Sequence, residues 1–474
     1  MRKLVGLVAA FGLLAVACSS DDDGGGASTE APTETEAPST DAPPATDDAA
    51  PSTDAPPSTD DAAPSTDEVP SGEITVGGQG IDDDRILIGM SIDQSGVAAP
   101  ISVDIIKALQ ARLDVANDAG GVAGRDIELI VLDDKADPTQ ALANFRQLWE
   151  QDKVFAIYTL GGNVPLEYIG EKEVPTFTLA GPPEVYASTY PTIIPLGSLL
   201  PTWAAQTAYS VVEYGGVEPK TVAVLYDPEM EALNPFIEEY WTALGVEEVI
   251  FDPPPDDCSA LVLKYKDAGV DYWDFQDFSY IGCMAAEENL GWKPPMGQGG
   301  AIASTLAIVR LVGEPMFGNI GGSPNRLADG RPTFDTPNEA HQLYLDGMEK
   351  YAPEVFADEG ALNGGMTMLA WVAGNFIVEA TEGAGIDSGE VSQETVLEWS
   401  WAIEDWDTGI AGVIHSARPD CKTGNDQTIW GYWLADPDPE GDFVLEPFVP
   451  DLVDNSWLGV DECYLTALAE SISS

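Results

Sequence analysis

The chain has 474 residues, 44% of them hydrophobic, and sets 81 acidic side chains against 20 lysines and arginines for a net charge of −61. That length accommodates two domains beside any leader. Nucleic acid is excluded as a partner, because contacts to phosphate need the cations this chain lacks.

Met1-Arg2-Lys3 precedes an uncharged apolar run, residues 4–17, that ends at Cys18. A positive start, a short apolar stretch and small residues at its end describe a secretory signal, residues 1–17. The run falls short of the roughly 20 residues a membrane-spanning helix requires. Leu14-Ala15-Val16-Ala17-Cys18 resembles the bacterial lipobox, whose cysteine is acylated and becomes the mature N-terminus. The resemblance implies a membrane anchor on Cys18 and a place on the outer face of the cell membrane, or in the periplasm.

Residues 19–84 carry no lysine or arginine and are dominated by Asp, Thr, Ala, Pro and Ser. Such a composition has no apolar surface to offset the entropy of ordering, so residues 18–84 are expected to form a disordered, acidic tether. Its Thr-Pro stretches suit O-glycosylation as well. The remainder is also strongly negative, and acid-rich, lysine-poor surfaces suit high salt, which screens their self-repulsion. If the protein is adapted to a saline habitat, its melting temperature rises with added salt; a flat or falling curve removes that idea.

Beyond Cys18 the cysteines are Cys258, Cys283, Cys421 and Cys463. An even number in an exported chain points to disulfides, with three possible pairings; pairing of neighbours, Cys258 with Cys283 and Cys421 with Cys463, is the expectation. There is no C-x-x-C and there are two histidines, so neither a metal nor a cofactor is called for.

Arg85-Ile86-Leu87-Ile88-Gly89-Met90 has the continuous apolar character of a strand buried on both faces. A loop at 91–100 leads to a helical pattern through Ile105, Ile106, Leu109, Leu113 and Ala116, ended by Gly120-Gly121. Strand 127–132 follows, then a helix opened by Asp137 as cap with Pro138 in its first turn. Strands 154–158 and 175–179 close a first series. A second begins with helix 203–214 and continues through strand 221–226, helix 235–244, strand 248–251, helix 259–268 and strand 270–275. Alternation of this kind predicts an α/β fold of two doubly wound parallel-sheet lobes.

Gly89-Met90-Ser91-Ile92-Asp93-Gln94-Ser95-Gly96 resembles the first strand and loop of the branched-chain amino-acid binding proteins. Asp118-Ala119-Gly120-Gly121-Val122-Ala123-Gly124-Arg125 is similar to that family's N-x-x-G-G-[IV]-x-G-[RK] turn, and the segment from Asp133-Asp134 to Asp137-Pro138-Thr139-Gln140-Ala141 to its D-D-x-x-D-P-x-x-A motif. In order and spacing these pieces resemble the leucine/isoleucine/valine-type, or type I periplasmic, solute receptors of ABC importers. The resemblance implies two lobes joined by a three-strand hinge. It implies lobe 1 from 85–199 and 304–405, with a long helix at 362–380. Lobe 2 would take 200–303 and 406–440, with a strand at 428–434. Residues 441–474 would be an extension held by Cys421–Cys463. It further implies a monomer that binds a small molecule and engages ABC permease subunits.

Ligands of open parallel sheets bind beyond the C-terminal strand ends. There Gln94, Ser95, Gly161, Gly162, Asn163, Ala180 and Gly181 correspond, by resemblance, to the first-lobe loops that hold the ligand's carboxylate. Backbone N–H groups suffice for that task. Ser198 at the crossing, Tyr226, Phe275, Gln276 and Asp277 would supply the second lobe's face. The chain departs from the family where Gly161-Gly162-Asn163 lacks a hydroxyl, where Gly181-Pro182-Pro183 lacks a threonine, and near Gln298-Gly299-Gly300, where an acid is missing. A desolvated ammonium needs an opposite charge or several acceptors. These departures therefore argue against an aliphatic amino acid and leave an amide, an organic acid or another small polar solute.

An exported hydrolase is the competing class, but no G-x-S-x-G elbow or H-E-x-x-H pair occurs. His341 is expected on a helix surface and His415 in a structural role. The tryptophans Trp371, Trp399, Trp401, Trp406, Trp430 and Trp433 are expected in cores. A receptor of the same fold that senses rather than imports is the other alternative.

Overall fold

The computed structural model describes residues 75–474 except 97–98, 180, 198–199, 227, 256, 276–279, 295, 299–312, 314–317, 324–326, 329–330, 333–337, 363–364, 425–426, 428, 436–442, 449–452, 461–462 and 474. The first sheet is built from β1 (Arg85–Ile92), β2 (Asp126–Asp133), β3 (Ala156–Thr159), β4 (Thr176–Thr178) and β5 (Ile193–Pro195). All neighbours are parallel, in the order β2-β1-β3-β4-β5. Helices α1 (Ala99–Asp118), α2 (Pro138–Arg146) and α3 (Leu166–Lys172) make the crossovers. Side chains of β1 alternate between two cores: Ile86, Ile88, Met90 and Ile92 join one with Leu109, Trp371 and Phe376, while Leu87 meets the other beside Phe145, Leu148 and Ile157. A sheet covered on both sides explains the unbroken apolar run.

Local chemistry fixes the element ends. Gly121 turns with φ of 62°, and a Cβ there would lie 2.0 Å from the Arg125 carbonyl oxygen, so only glycine fits. Asn117, in the last turn of α1, donates through Nδ2 to the Ile127 carbonyl (3.0 Å) and accepts from the Ile127 amide (2.8 Å), fastening the helix to β2. Asp137 caps α2 by accepting from the Gln140 amide at 2.9 Å.

The second sheet takes β6 (Thr221–Leu225), β7 (Glu248–Asp252), β8 (Tyr272–Phe275), β9 (Met296–Gln298) and β10 (Ile320–Ser323); α4 (Leu200–Glu213) precedes them, and α5 (Asn234–Ala243), α6 (Cys258–Ala268) and α7 (Tyr280–Leu290) lie between them. The same alternation appears: Ala223 and Leu225 of β6 pack with Trp273 and Phe275, Val222 and Val224 with Trp241 and Tyr272. Buried Asp274 accepts from the Trp241 indole at 3.0 Å and the Tyr240 hydroxyl at 3.3 Å. Cys258 and Cys283 are bonded across α6 and α7, as expected.

The chain then returns to the first lobe through α8 (Glu339–Tyr351), α9 (Gly365–Ser388), α10 (Gln393–Trp401) and the antiparallel strands β11 (Glu404–Asp407), β12 (Val413–Arg418) and β13 (Cys421–Lys422). It leaves again for β14 (Ile429–Ala435) and β15 (Phe443–Pro447), antiparallel additions that complete the order β15-β14-β10-β9-β8-β6-β7. Helix α11 (Tyr464–Ser473) ends the described chain, and Cys421 is bonded to Cys463. Passages after β5, β10 and β13 are the three crossings of the hinge.

Several boundaries differ from the sequence reading. The return to the first lobe falls after Ser323 rather than at Ser304, because Ile320–Ser323 still pairs in the second sheet. Strands β12 and β13 belong to the first lobe rather than the second: Ile414 and Ala417 are buried in its core. Residues 441–474 are no appendage, since Phe443–Pro447 forms a sheet edge and Leu465 and Ala469 are buried in a first-lobe core. Residues 75–84, assigned to the tether, are part of the fold. Thr75 and Val76 pair with Glu390 and Val391, and the Gln79 amide donates to the Trp149 and Val154 carbonyls, each at 3.1 Å. His341 is fully buried instead of exposed, because it shares the inward helix face of Tyr344 and Met348. Its Nδ1 lies 3.0 Å from Asn338 Oδ1. His415 pairs with Asp405 at 2.7 Å, and Trp371 is in the core; the side chains of Trp430 and Trp433 lie outside the described residues.

Candidate functional site

The C-terminal edge of the first sheet gathers the candidate loops. Ile92 is registered against Asp133, so the loop after β1 lies beside the end of β2. Asp133 accepts from the Gln94 amide (2.9 Å), the Lys135 amide (3.0 Å) and the Ser95 hydroxyl (2.6 Å). These bonds, led by the Ser95 hydroxyl, hold its carboxyl below the usual carboxylate range. Asp93 accepts from the Ser95 amide at 3.2 Å and from the Gly96 amide. The amides and hydroxyl that the sequence offered to a ligand's carboxylate at Gln94 and Ser95 are thus already engaged by two aspartates. A solute reaching this corner meets acceptors and negative charge, and a second anion is disfavoured there.

Beneath the loop sits a buried polar chain. Gln140 donates to Asn144 (2.9 Å), Asn144 to the Ser91 hydroxyl (3.2 Å), and that hydroxyl to Asp134 at 3.3 Å. Burial raises the Asp134 carboxyl above its ordinary value. Thr159 at the end of β3 links the neighbouring loop, donating toward the Ser91 carbonyl at 3.5 Å and accepting from the Gly161 amide at 3.4 Å.

Gly161, Gly162, Asn163 and Gly181 come together. A Cβ on Gly181 would lie 3.5 Å from the Gly161 carbonyl oxygen and 2.8 Å from Val185 Cγ1. Gly162 is exposed with open space above it, and Asn163 is half-buried. Among the described residues, the Gly162 and Asn163 amides have no hydrogen-bond partner, so this loop has donors to spare. In the second lobe, Tyr226 is half-buried against Phe251, with ring centroids 6.4 Å apart. Phe275 does not reach an open edge: it is 1% exposed and stacked on Trp273 at 4.8 Å. Ala180, Ser198, Gln276, Asp277 and the lipidation residue Cys18 lie outside the described residues.

Sequence reasoning passed over Asp93, Asp133 and Thr159 as site residues. A polar residue where a parallel strand ends was the available signal, and the first two stand in the motifs quoted above. It also missed Lys422, where first and third crossings meet. The buried Lys422 ammonium donates to the carbonyls of Tyr190 (2.6 Å) and Val185 (3.1 Å), and burial pushes it down to about 7. Tyr186 donates to the Gly197 carbonyl at 2.6 Å, and Gly424, with φ of 64°, passes so close that a Cβ would lie 2.4 Å from the same oxygen. Among the described residues there is no group of three or more His, Cys, Asp or Glu able to hold a metal, and no helix long and apolar enough to cross a membrane.

Comparison with known proteins agrees with this architecture. Leu/Ile/Val-binding protein homolog 1 of Brucella abortus (strain 2308) is 24% identical over 213 residues, 40% of this chain and 53% of the relative. The match therefore spans about half the length of that curated relative. Among solved structures, a fatty acid ABC transporter substrate-binding protein from Thermomonospora curvata superposes with a TM-score of 0.64 at 18% identity, covering 82% of this chain and 98% of the other. A branched chain amino acid ABC transporter protein from Thermus thermophilus with bound valine gives 0.61 at 19% identity, covering 83% and 99%. These likenesses establish the type I periplasmic binding protein fold. Residues 85–426, from the first strand of the first sheet into the third crossing, match the periplasmic binding protein family, and the chain belongs to it.

Proposed function

We propose that this protein is the extracytoplasmic substrate-binding component of an ABC transporter, held to the membrane by a lipid on Cys18 and acting as a monomer. It captures a small polar solute between its two lobes and makes or breaks no bond. The reading is carried by the pairing of two separate, mainly parallel sheets through hinge crossings, with unengaged amides at Gly162 and Asn163 on the C-terminal edge of one of them. Lobe closure over that edge is how a hinged pair of domains traps a ligand. The relatives named above are described as binding proteins for leucine, isoleucine and valine or for fatty acid, and one holds valine.

Charge at the edge refines the solute. An acceptor group suits the Gly162 and Asn163 amides, whereas the corner at Asp93 and Asp133 suits a group that donates hydrogen bonds. An amino-acid-like solute or an amide has both ends. A thermal-shift screen of amino acids, amides, organic acids and polyamines checks this. A true ligand at a hundredfold excess over its Kd stabilises by about 2.7 kcal/mol. Turnover of a substrate by the purified protein, or no shift with any of these classes, overturns the proposal.

A further inference from the structure

Residues after the third crossing lie almost wholly beyond the family match, which ends at residue 426. There the chain makes one more passage: from β15 on the edge of the second sheet it comes back to α11, which touches both lobes. Two stripes run along this helix. Leu465 and Ala469, one turn apart, are fully buried in the first-lobe core with Val185, Tyr186 and Ile193. Leu468 and Ile472, also one turn apart, pack on the second-lobe core that holds Ile237, Tyr240 and Trp241. Tyr464, at the head of the helix, lies between the two: it packs against the first-lobe core and stacks on Phe236 of the second lobe with centroids 6.3 Å apart. The stripes are offset by one residue, about 100° around the helix, so a single rod faces two bodies at once.

The helix is fastened far more firmly to one body than to the other. On the first-lobe side, Cys463 is bonded to Cys421, the Thr466 hydroxyl accepts from the Lys422 amide at 2.9 Å, and Ser188 donates to Glu470 at 2.5 Å. On the second-lobe side the grip is the half-buried stripe plus a small polar knot. There Asn455 donates to the Tyr464 hydroxyl (2.8 Å) and to the Thr202 carbonyl (3.2 Å) at the start of α4. A covalent root on one lobe and a releasable face on the other is the construction of a strap.

We infer that α11 is an interlobe strap, rooted on the first lobe by Cys421–Cys463, whose Tyr464, Leu468 and Ile472 face restrains movement of the second lobe about the hinge. This rests on the proposed lobe closure for its purpose, but its test does not require a ligand. Hinge motion is restrained by whatever contacts must break for it to occur. Loosening the second stripe therefore frees the lobes without touching either sheet.

The experiment measures inter-lobe distance distributions by double electron–electron resonance on the ligand-free protein, with spin labels on genetically encoded side chains at exposed Glu171 and Glu247, one in each lobe. In the Leu468→Ala/Ile472→Ala variant the population outside the unmutated protein's distribution is expected to rise roughly tenfold. Tyr464→Phe keeps the stack and loses only the hydroxyl bonds, so it folds if the double variant does not, and a smaller rise is expected. Glu470→Gln, on the first-lobe side, leaves the distribution unchanged. Identical distributions in all folded variants overturn the strap. A broadened distribution in a protein that binds no solute of any class keeps the strap and removes the proposed function.

Discussion

Replacing Glu287 with glutamine is expected to stabilise the protein by about 3 kcal/mol at pH 7 and by less than about 1 kcal/mol at pH 5. Glu287 is 1% exposed on α7, and neither carboxylate oxygen has a hydrogen-bond partner among the described residues. Burial pushes its carboxyl up to about 8, with Lys293 offsetting only part of the effect. The folded state therefore keeps a proton that the unfolded chain gives up above its ordinary value of 4.5. Below that value both states are protonated and the site costs nothing. As pH rises the unfolded state gains free energy of ionisation that the fold cannot share, and stability falls until the folded carboxyl ionises near 8. Glutamine has the same shape and no charge to lose. Lys422 acts in the opposite sense: its folded value near 7 lies below the ordinary 10.5, so its burial penalty is full below 7 and relieved as pH climbs from there. Taking the difference between variant and unmutated protein by chemical denaturation at each pH cancels the lysine. A gain equal at both pH values would trace to packing and refute the ionisation argument.

The second large effect is expected on opening Cys421–Cys463. The bond joins positions 42 apart, and restoring the chain entropy of that loop in the unfolded state costs the fold about 4 kcal/mol. Cys258–Cys283 spans 25 positions and is worth about 3.5 kcal/mol on the same argument. Cys421→Ser/Cys463→Ser is expected to lower the denaturation midpoint accordingly and to expose α11 selectively in hydrogen exchange, because the helix loses its root as well as its loop closure. Loss of protection spread evenly over both lobes contradicts that picture.

What the sequence revealed were features written in neighbouring residues. The Gly120-Gly121 turn, the Asp137 cap and the apolar run of β1 each follow from local geometry, and all stand in the structure as read. Membership of a sheet is different. Ile320–Ser323 and Val413–Arg418 are short, and nothing in their period says which lobe will take them; that choice is made by the partners they meet, β14 for the first and β11 and α10 for the second. His341 was legible with more care, since Tyr344 and Met348 repeat on its face. At the site, the loops were found by strand ends, but their chemistry was not. Whether Ser95 offers its hydroxyl depends on Asp133, 38 residues away, and pattern alone does not report that bond.

The discontinuous make-up of both lobes also bears on how the molecule assembles. A ribosome delivers β1 to β5 early, yet the apolar face of β1 is roofed by α9, and the second sheet awaits β14 and β15 for its outer edge. The first half cannot finish before α9 has emerged, nor the second before β14 and β15, and Cys463 follows all of them. Newly made molecules thus pass through a stage with two unfinished hydrophobic surfaces, where chaperone capture and thiol oxidation compete with aggregation.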